Sequence, residues 1–448
     1  MDKKRLLIWA GGGLCVAMMA VQACRLQLGH SGAHLAVFCG MLMLLGLAML
    51  ILWRECGNDG WQSLLLPVAA ALLLRMFLLD YQSGDYVDFL AHWAAFFRGN
   101  GGFAAIALDV GDYNVSYLYF IAAISYFPVP DLYLYKLFSI LFDVVLAWGA
   151  LRLVRVLRPG TGRDWMPMAA FVGMFWLPTV VLNGSFWGQC DAIYGALVVH
   201  GVALALEGKT RWSVVLAAVA FSFKLQTVFV LPLWGILWLG KRIRFWELWL
   251  FPLTYVATIL PALALGKPFS DILSVYWEQM GQYPRLTLNA PSIFQWIPYG
   301  AQVPEQTVAK LGIGAAALLV LTLLLVSWHL GRKLDSAAFL SMTVVLAIGV
   351  PFLLPHMHER YFFLADVLTL CWACISRERS GVLVLAAGSS LASYLVYLRL
   401  RYNLVLSLFG ATFVMGVESM AMFGALIWAV VLMIKDIRNC DADGRIKL

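Results

Sequence analysis

Met1-Asp-Lys-Lys-Arg5-Leu-Leu-Ile-Trp-Ala10-Gly-Gly-Gly-Leu-Cys15-Val-Ala-Met-Met-Ala20-Val-Gln-Ala23 opens the chain with three basic residues running directly into an apolar stretch. No clear small-residue cleavage site follows, so the run predicts a retained membrane helix rather than a removed signal. Composition extends that reading to the whole chain. Of its 448 residues, 62% are hydrophobic and 13% charged, with a mean hydropathy of +0.82. A soluble domain carries roughly 25% charged residues, so this is expected to be an all-α polytopic membrane protein whose first partner is the lipid bilayer.

Apolar runs long enough, or nearly long enough, to cross a bilayer fall at 6–23, 34–53, 62–80, 132–154, 166–182, 191–206, 212–223, 226–239, 246–265, 307–330, 338–354, 361–376, 381–398 and 408–434. That predicts about 14 transmembrane helices in a single integral membrane domain spanning 1–448. The 212–223 and 226–239 runs are short for a hydrocarbon core that takes roughly 20 residues, and read as a pair broken around Phe221-Ser-Phe-Lys224-Leu-Gln226. With Lys3, Lys4 and Arg5 in the cytoplasm, the loops holding Arg155/Arg158/Arg163, Lys209/Arg211, Lys241/Arg242/Arg244, Arg332/Lys333, Arg377/Arg379 and Lys435/Arg438 all fall inside. The net charge of +7 is thereby assigned to orientation, and nucleic acid is excluded as a partner. The eight cysteines form no paired CxxC knuckle, and Cys371 and Cys374, one helical turn apart, read as packing residues.

The other face collects polar residues that anchoring does not explain. Tyr81-Gln-Ser-Gly-Asp85-Tyr-Val-Asp88-Phe-Leu-Ala-His92-Trp93 begins a long loop, 81–131, which Leu108-Asp-Val-Gly-Asp112-Tyr113-Asn114-Val-Ser-Tyr117 continues. Within it 116–127 is too short to cross and rich in Tyr and Phe, which predicts an interfacial helix. The same side receives Asn183-Gly-Ser-Phe-Trp187-Gly-Gln189-Cys-Asp191, the Lys224 break, a second long loop at 266–306, His356-Met-His358-Glu359-Arg360-Tyr361, and Arg399 with Arg401. Carboxylates are costly near a bilayer and are retained there for a task. Bland readings stand beside the functional ones: Arg360 as an interfacial anchor, Trp187 as a belt aromatic, the 81–131 acids as a solvated loop. His358 and Glu359 invite a metal, but their spacing is not that of HExxH.

Carboxylates, cations and aromatics on one face make up the set needed to join a sugar hydroxyl to a sugar leaving from a lipid phosphate. A carboxylate takes the proton, cations stabilise the departing phosphate, and aromatic faces hold sugar rings. Scarce water at the membrane edge strengthens each charge.

Gly84-Asp85-Tyr followed by His92-Trp93, then Asp112-Tyr113, Phe223-Lys224-x-Gln226 and Met357-His358-Glu359-Arg360 resemble, in order, the landmarks of the dolichyl-phosphate-glucose-dependent glucosyltransferases of asparagine-linked glycosylation and their bacterial relatives in the GT-C superfamily. The resemblance runs from about residue 80 to 365. It implies a GT-C fold and an inverting transfer from a polyprenyl-phosphate sugar donor. Matched by position, Asp85 is the catalytic base, while Lys224, His358, Glu359 and Arg360 lie at the donor phosphate. His92, Trp93, Asp112, Tyr113, Trp187, Gln189 and Asp191 fall to substrate binding. Asn114-Val115 replace the family's paired prolines, Arg360 replaces its lysine, and Trp187-Gly-Gln-Cys-Asp191 follows the WGQxD of bacterial members. Asn114-Val-Ser and Asn183-Gly-Ser are glycosylation sequons inside the proposed site, which fits a bacterial cytoplasmic membrane where they go unmodified.

The expected protein is therefore a membrane hexosyltransferase, glucose or mannose being the sugar, with a lipid-linked or cell-envelope glycan as acceptor and its active site on the extracytoplasmic face. Asp85 is the base and Asp88, three residues on, its runner-up. No cofactor is required if cations clamp the phosphate, a divalent ion held by acids and phosphate being the open alternative. Two rivals come from other classes. A flippase or transporter would line a path with Lys224, Asp85 and Arg360, though a midplane site and internal repeats would then be expected. A polymerase or ligase would hold a lipid pyrophosphate on arginines such as Arg399 and Arg401.

Overall fold

A computed structural model describes residues 3–57, 60–159, 164–281, 285–297, 302–398, 408 and 410–443. The chain is an all-α membrane protein. Among the described residues eight helices are long and apolar enough to cross a bilayer: Arg5–Arg25, Ser31–Cys56, Asp131–Leu157, Phe245–Ala264, Glu305–Lys333, Ser336–Leu353, Arg377–Tyr397 and Thr412–Cys440. The bent pair Met166–Trp176 and Pro178–Trp187 makes a ninth if counted as one span. The runs expected at 62–80, 191–206, 212–223, 226–239 and 361–376 also form apolar helices, each of 10–17 residues.

Two breaks interrupt the apolar runs. The 166–182 run is not one straight helix: Leu177 takes an extended conformation (φ −62°, ψ 117°) before Pro178, and the axis turns by 47°. A residue preceding proline is pushed out of the helical region, and proline has no N–H to continue the ladder. At the second break the helix Thr210–Phe223 stops at Lys224 (φ −153°, ψ 129°), and a 3₁₀ turn, Leu225–Phe229, leads into Pro232–Leu239. This is the broken pair that the short runs predict.

Side-chain contacts join the basic loops to one another. Arg155 pairs with Glu55, Arg152 with Glu207, and Arg211 with Glu247 at 3.6 Å. Arg158 pairs with Asp164 and donates to the carbonyl of Ile375, and Arg242 donates to that of Leu334.

The 81–131 stretch is folded rather than loose. It carries the helices Ala91–Gly99 and Val115–Ile124, and the 3₁₀ turn Gly102–Ala107 lies between them. Leu90, Phe97, Ile106, Leu118 and Ile121 form a small core of their own with Ile259 and Ile272. Arg75, inside an apolar helix, is ion-paired with Asp143 at 2.9 Å, both side chains 0% exposed. Lys136 donates to the carbonyls of Leu78 (2.9 Å), Leu79 (2.9 Å) and Tyr81 (2.6 Å), fixing the chain that leads to Asp85. The second long loop is tied down as well. Thr287 and Leu288 run parallel to Met357 and His358 as a two-residue β pair, and the His356 amide donates to the Leu286 carbonyl at 2.8 Å. Residues 282–284 and 298–301 of that loop lie outside the described part.

Candidate active site

Two short π-helical segments bring the site together, Tyr86–Leu90 directly after Asp85 and Leu182–Trp187 directly before Gly188. An inserted residue of this kind re-aims side chains and loosens the helical ladder, which is why π segments recur at functional positions. Gly188 then takes φ +83°, a left-handed turn that an L side chain resists, and sends Gln189 back toward Asp85.

The Asp85 carboxylate is the hub. Its Oδ2 accepts from the Trp187 indole at 3.0 Å, from the Gln189 amide, and from Arg360 Nη1 at 3.4 Å. Its Oδ1 accepts from the Tyr397 hydroxyl. Trp187 is fully buried and stacks on Tyr397 with centroids 4.3 Å apart, so it is a wall of the site rather than a belt residue. The Arg360 guanidinium lies 5.3 Å from the Trp187 ring centroid and 5.9 Å from that of Tyr361. Tyr113 donates to Gln189 at 3.4 Å, and Trp93 packs edge-on against Tyr113 at 5.5 Å.

A second charged centre adjoins the first. Lys224 forms an ion pair with Asp191, the two side chains being 6% and 1% exposed. Asp191 also accepts from Asn183 at 2.6 Å, and Asn183 bonds the Tyr394 hydroxyl at 3.0 Å. Lys224 sits 5.9 Å from the Tyr113 ring centroid, which links the centres. Asn114 is likewise buried, donating to the Phe221 carbonyl at 3.3 Å. Both sequon asparagines are thus enclosed in the folded protein.

The turn 354–362 contributes Arg360 and its two neighbours. Burial lowers the His358 imidazole to about 3, with help from the charges of Arg360 and Lys224, so it is neutral at working pH. Burial raises the Glu359 carboxyl to about 7; Arg360 opposes that rise and Asp85 adds to it. His358 Nδ1 and Glu359 Oε2 are 3.9 Å apart, and the His358 ring packs on Tyr361 at 5.1 Å between centroids.

Of the residues the sequence singles out, Asp85, Tyr113, Trp187, Gln189, Asp191, Lys224 and Arg360 are brought into one connected network, and Trp93 supports it through Tyr113. Asp88, His92 and Asp112 are exposed. Asp112 meets the network's surroundings through its backbone carbonyl, which accepts from Gln279. Sequence reading missed Tyr397 and Tyr394 as members, and it placed Asn183 in a site motif without giving it a role. Arg399 and Arg401 lie outside the described residues. No three His, Cys, Asp or Glu side chains among the described residues converge as a metal set.

In chemical terms the site offers a carboxylate held by four donors, two largely buried cations, and aromatic rings packed around them. Set against known proteins, the chain matches no family model and no curated protein.

Proposed function

We propose that this protein is a GT-C-type glycosyltransferase of about 14 membrane spans. It moves a hexose from a polyprenyl-phosphate donor to a lipid-linked or envelope glycan on the extracytoplasmic face of a bacterial membrane. One observation carries the reading. Five segments far apart in the chain deliver a carboxylate, two cations and stacked aromatics to one connected network. In this reading Asp85 takes the proton of the attacking hydroxyl, whose oxygen bonds to the anomeric carbon on the face opposite the phosphate. The sugar–phosphate bond breaks, its electron pair leaves on the phosphate oxygen, and Arg360 and Lys224 stabilise that charge. Neutral His358 adds no charge to oppose the phosphate, and Glu359, its carboxyl raised to about 7, opposes it only when ionised. Tyr113 offers a ring face to the sugar, while Trp187, buried against Tyr397 and Arg360, holds Asp85 in place.

The test presents detergent-solubilised protein with radiolabelled hexose on polyprenyl monophosphate, the same hexose on polyprenyl pyrophosphate, and membrane lipid extract as acceptor. Transfer from the monophosphate alone supports the reading. Transfer from the pyrophosphate alone assigns the site to a polymerase or ligase. Movement of labelled lipid across vesicles without a new glycosidic bond assigns it to transport.

A further inference from the structure

The donors on Asp85 are unevenly shared. A carboxylate oxygen offers about two lone-pair positions, yet Trp187, Gln189 and Arg360 all converge on Oδ2, while Oδ1 accepts from Tyr397. Oδ2 must lose a donor before it can take a proton. Three of the four are fixed. Trp187 and Tyr397 are stacked on each other, and Gln189 is held by the left-handed turn at Gly188 and by Tyr113. Arg360 is the exception, since its contact is the longest of the four, 3.4 Å against 3.0 Å for Trp187. Its Nε is also buried and meets no acceptor among the described residues. A guanidinium carries five donors in a fork suited to an oxyanion, and a buried donor left unpaired is costly. Arg360 is therefore under-satisfied, bound weakly to the base and with a donor that none of the described residues accepts.

We infer that Arg360 is a shuttle between base and donor: it caps Asp85 Oδ2 in the empty enzyme and transfers to the donor's phosphate oxyanion when the lipid binds. This rests on the glycosyltransferase reading and adds an order to it. Donor binding removes one of the three donors crowding Asp85 Oδ2, so that oxygen can accept from the acceptor hydroxyl once the donor is seated. The same movement places the guanidinium where charge develops as the sugar–phosphate bond breaks.

The consequence is competition between Asp85 and phosphate for one cation. It is measurable without knowing the acceptor, through binding of sugar-free polyprenyl monophosphate, with inorganic phosphate in parallel, to wild type, Asp85→Asn, Arg360→Gln and the double variant. Asp85→Asn is expected to tighten polyprenyl monophosphate by about fivefold, the scale of a partly exposed ion pair (side chains 15% and 19% exposed). Arg360→Gln is expected to weaken it, and the gain from Asp85→Asn to vanish in the Arg360→Gln background. The same pattern with inorganic phosphate would place the effect in the phosphate group rather than the lipid tail. A wild-type measurement guards against misfolded variants: adding polyprenyl monophosphate should shift the Asp85 carboxylate band in the infrared difference spectrum, a band identified by its loss in Asp85→Asn. If wild type binds the lipid phosphate but Asp85→Asn does not tighten it, or the gain survives without Arg360, the shuttle is wrong and the donor reading stands. If wild type binds no lipid phosphate, the donor reading fails and the shuttle falls with it.

Discussion

Glu359 gives the sharpest test of how the phosphate side of the site works. Its carboxyl is raised to about 7 chiefly because it is buried. An ionised Glu359 beside Arg360 would repel an incoming phosphate, so the neutral form is the one that binds donor. A group with a pKa of about 7 is about nine-tenths protonated at pH 6 and about one-tenth at pH 8. The KM for the polyprenyl-phosphate donor should therefore rise about ninefold over that interval, with a much smaller change in kcat at saturating donor. Glu359→Gln, which is neutral throughout, should flatten the profile and hold KM near its low-pH value. The same raised pKa sets a sign for stability. Unfolded protein loses this proton near the ordinary value of 4.5 and folded protein near 7, so the favourable contribution is full below 4.5 and is lost as pH rises through 7. Thermal unfolding in detergent should show that decline in wild type and its absence in Glu359→Gln. A donor KM that does not change between pH 6 and 8, or one that changes equally in Glu359→Gln, would refute the reasoning.

Three further outcomes follow from the geometry. Arg75→Leu leaves Asp143 buried without its partner and should cost about 3–5 kcal/mol of stability, while Arg75→Leu with Asp143→Leu should recover most of it, as read by denaturation in detergent. Gly188→Ala forces an L side chain to φ +83°, which should cost about 1–2 kcal/mol and lower turnover by moving Gln189 off Asp85. Tyr397→Phe keeps the stack on Trp187 but removes the hydroxyl from Asp85. A hydrogen bond to a charged group contributes about 1.5–3 kcal/mol, so kcat should fall about tenfold to a hundredfold with donor KM unchanged; an equal loss in KM would make Tyr397 a binding rather than a positioning residue.

How much of the fold and site is legible in the sequence differs from residue to residue. Membrane helices announce themselves because a chain in lipid must satisfy its own backbone, which confines it to long apolar runs. The Lys224 break is visible for the same reason, as a charge between two runs too short to span alone. The bend after Leu177 has its cause in Pro178, but the apolar composition continues through it and hides the break. Arg75 and Asp143 also leave a signal, charges inside apolar runs, which points to a buried pair without naming the partner. Tyr397 leaves none. A tyrosine at the end of an apolar helix looks like any interfacial aromatic, and its meaning comes from meeting Asp85 across 312 residues of chain. Asn183 and Gln189 stand out as parts of a motif, but only the π segment and the turn at Gly188 aim one at Asp191 and the other at Asp85.

The central claim is that Asp85 is the base of a hexosyl transfer. Its most direct test is the initial rate of label transfer from polyprenyl-phosphate-glucose and polyprenyl-phosphate-mannose to membrane lipid extract by wild type, Asp85→Asn and Asp88→Asn, each shown to be folded and monodisperse. The account predicts transfer from one of the two donors by wild type, near-complete loss in Asp85→Asn, and retention in Asp88→Asn. Transfer that survives in Asp85→Asn and disappears in Asp88→Asn would move the base to the exposed carboxylate and contradict the claim.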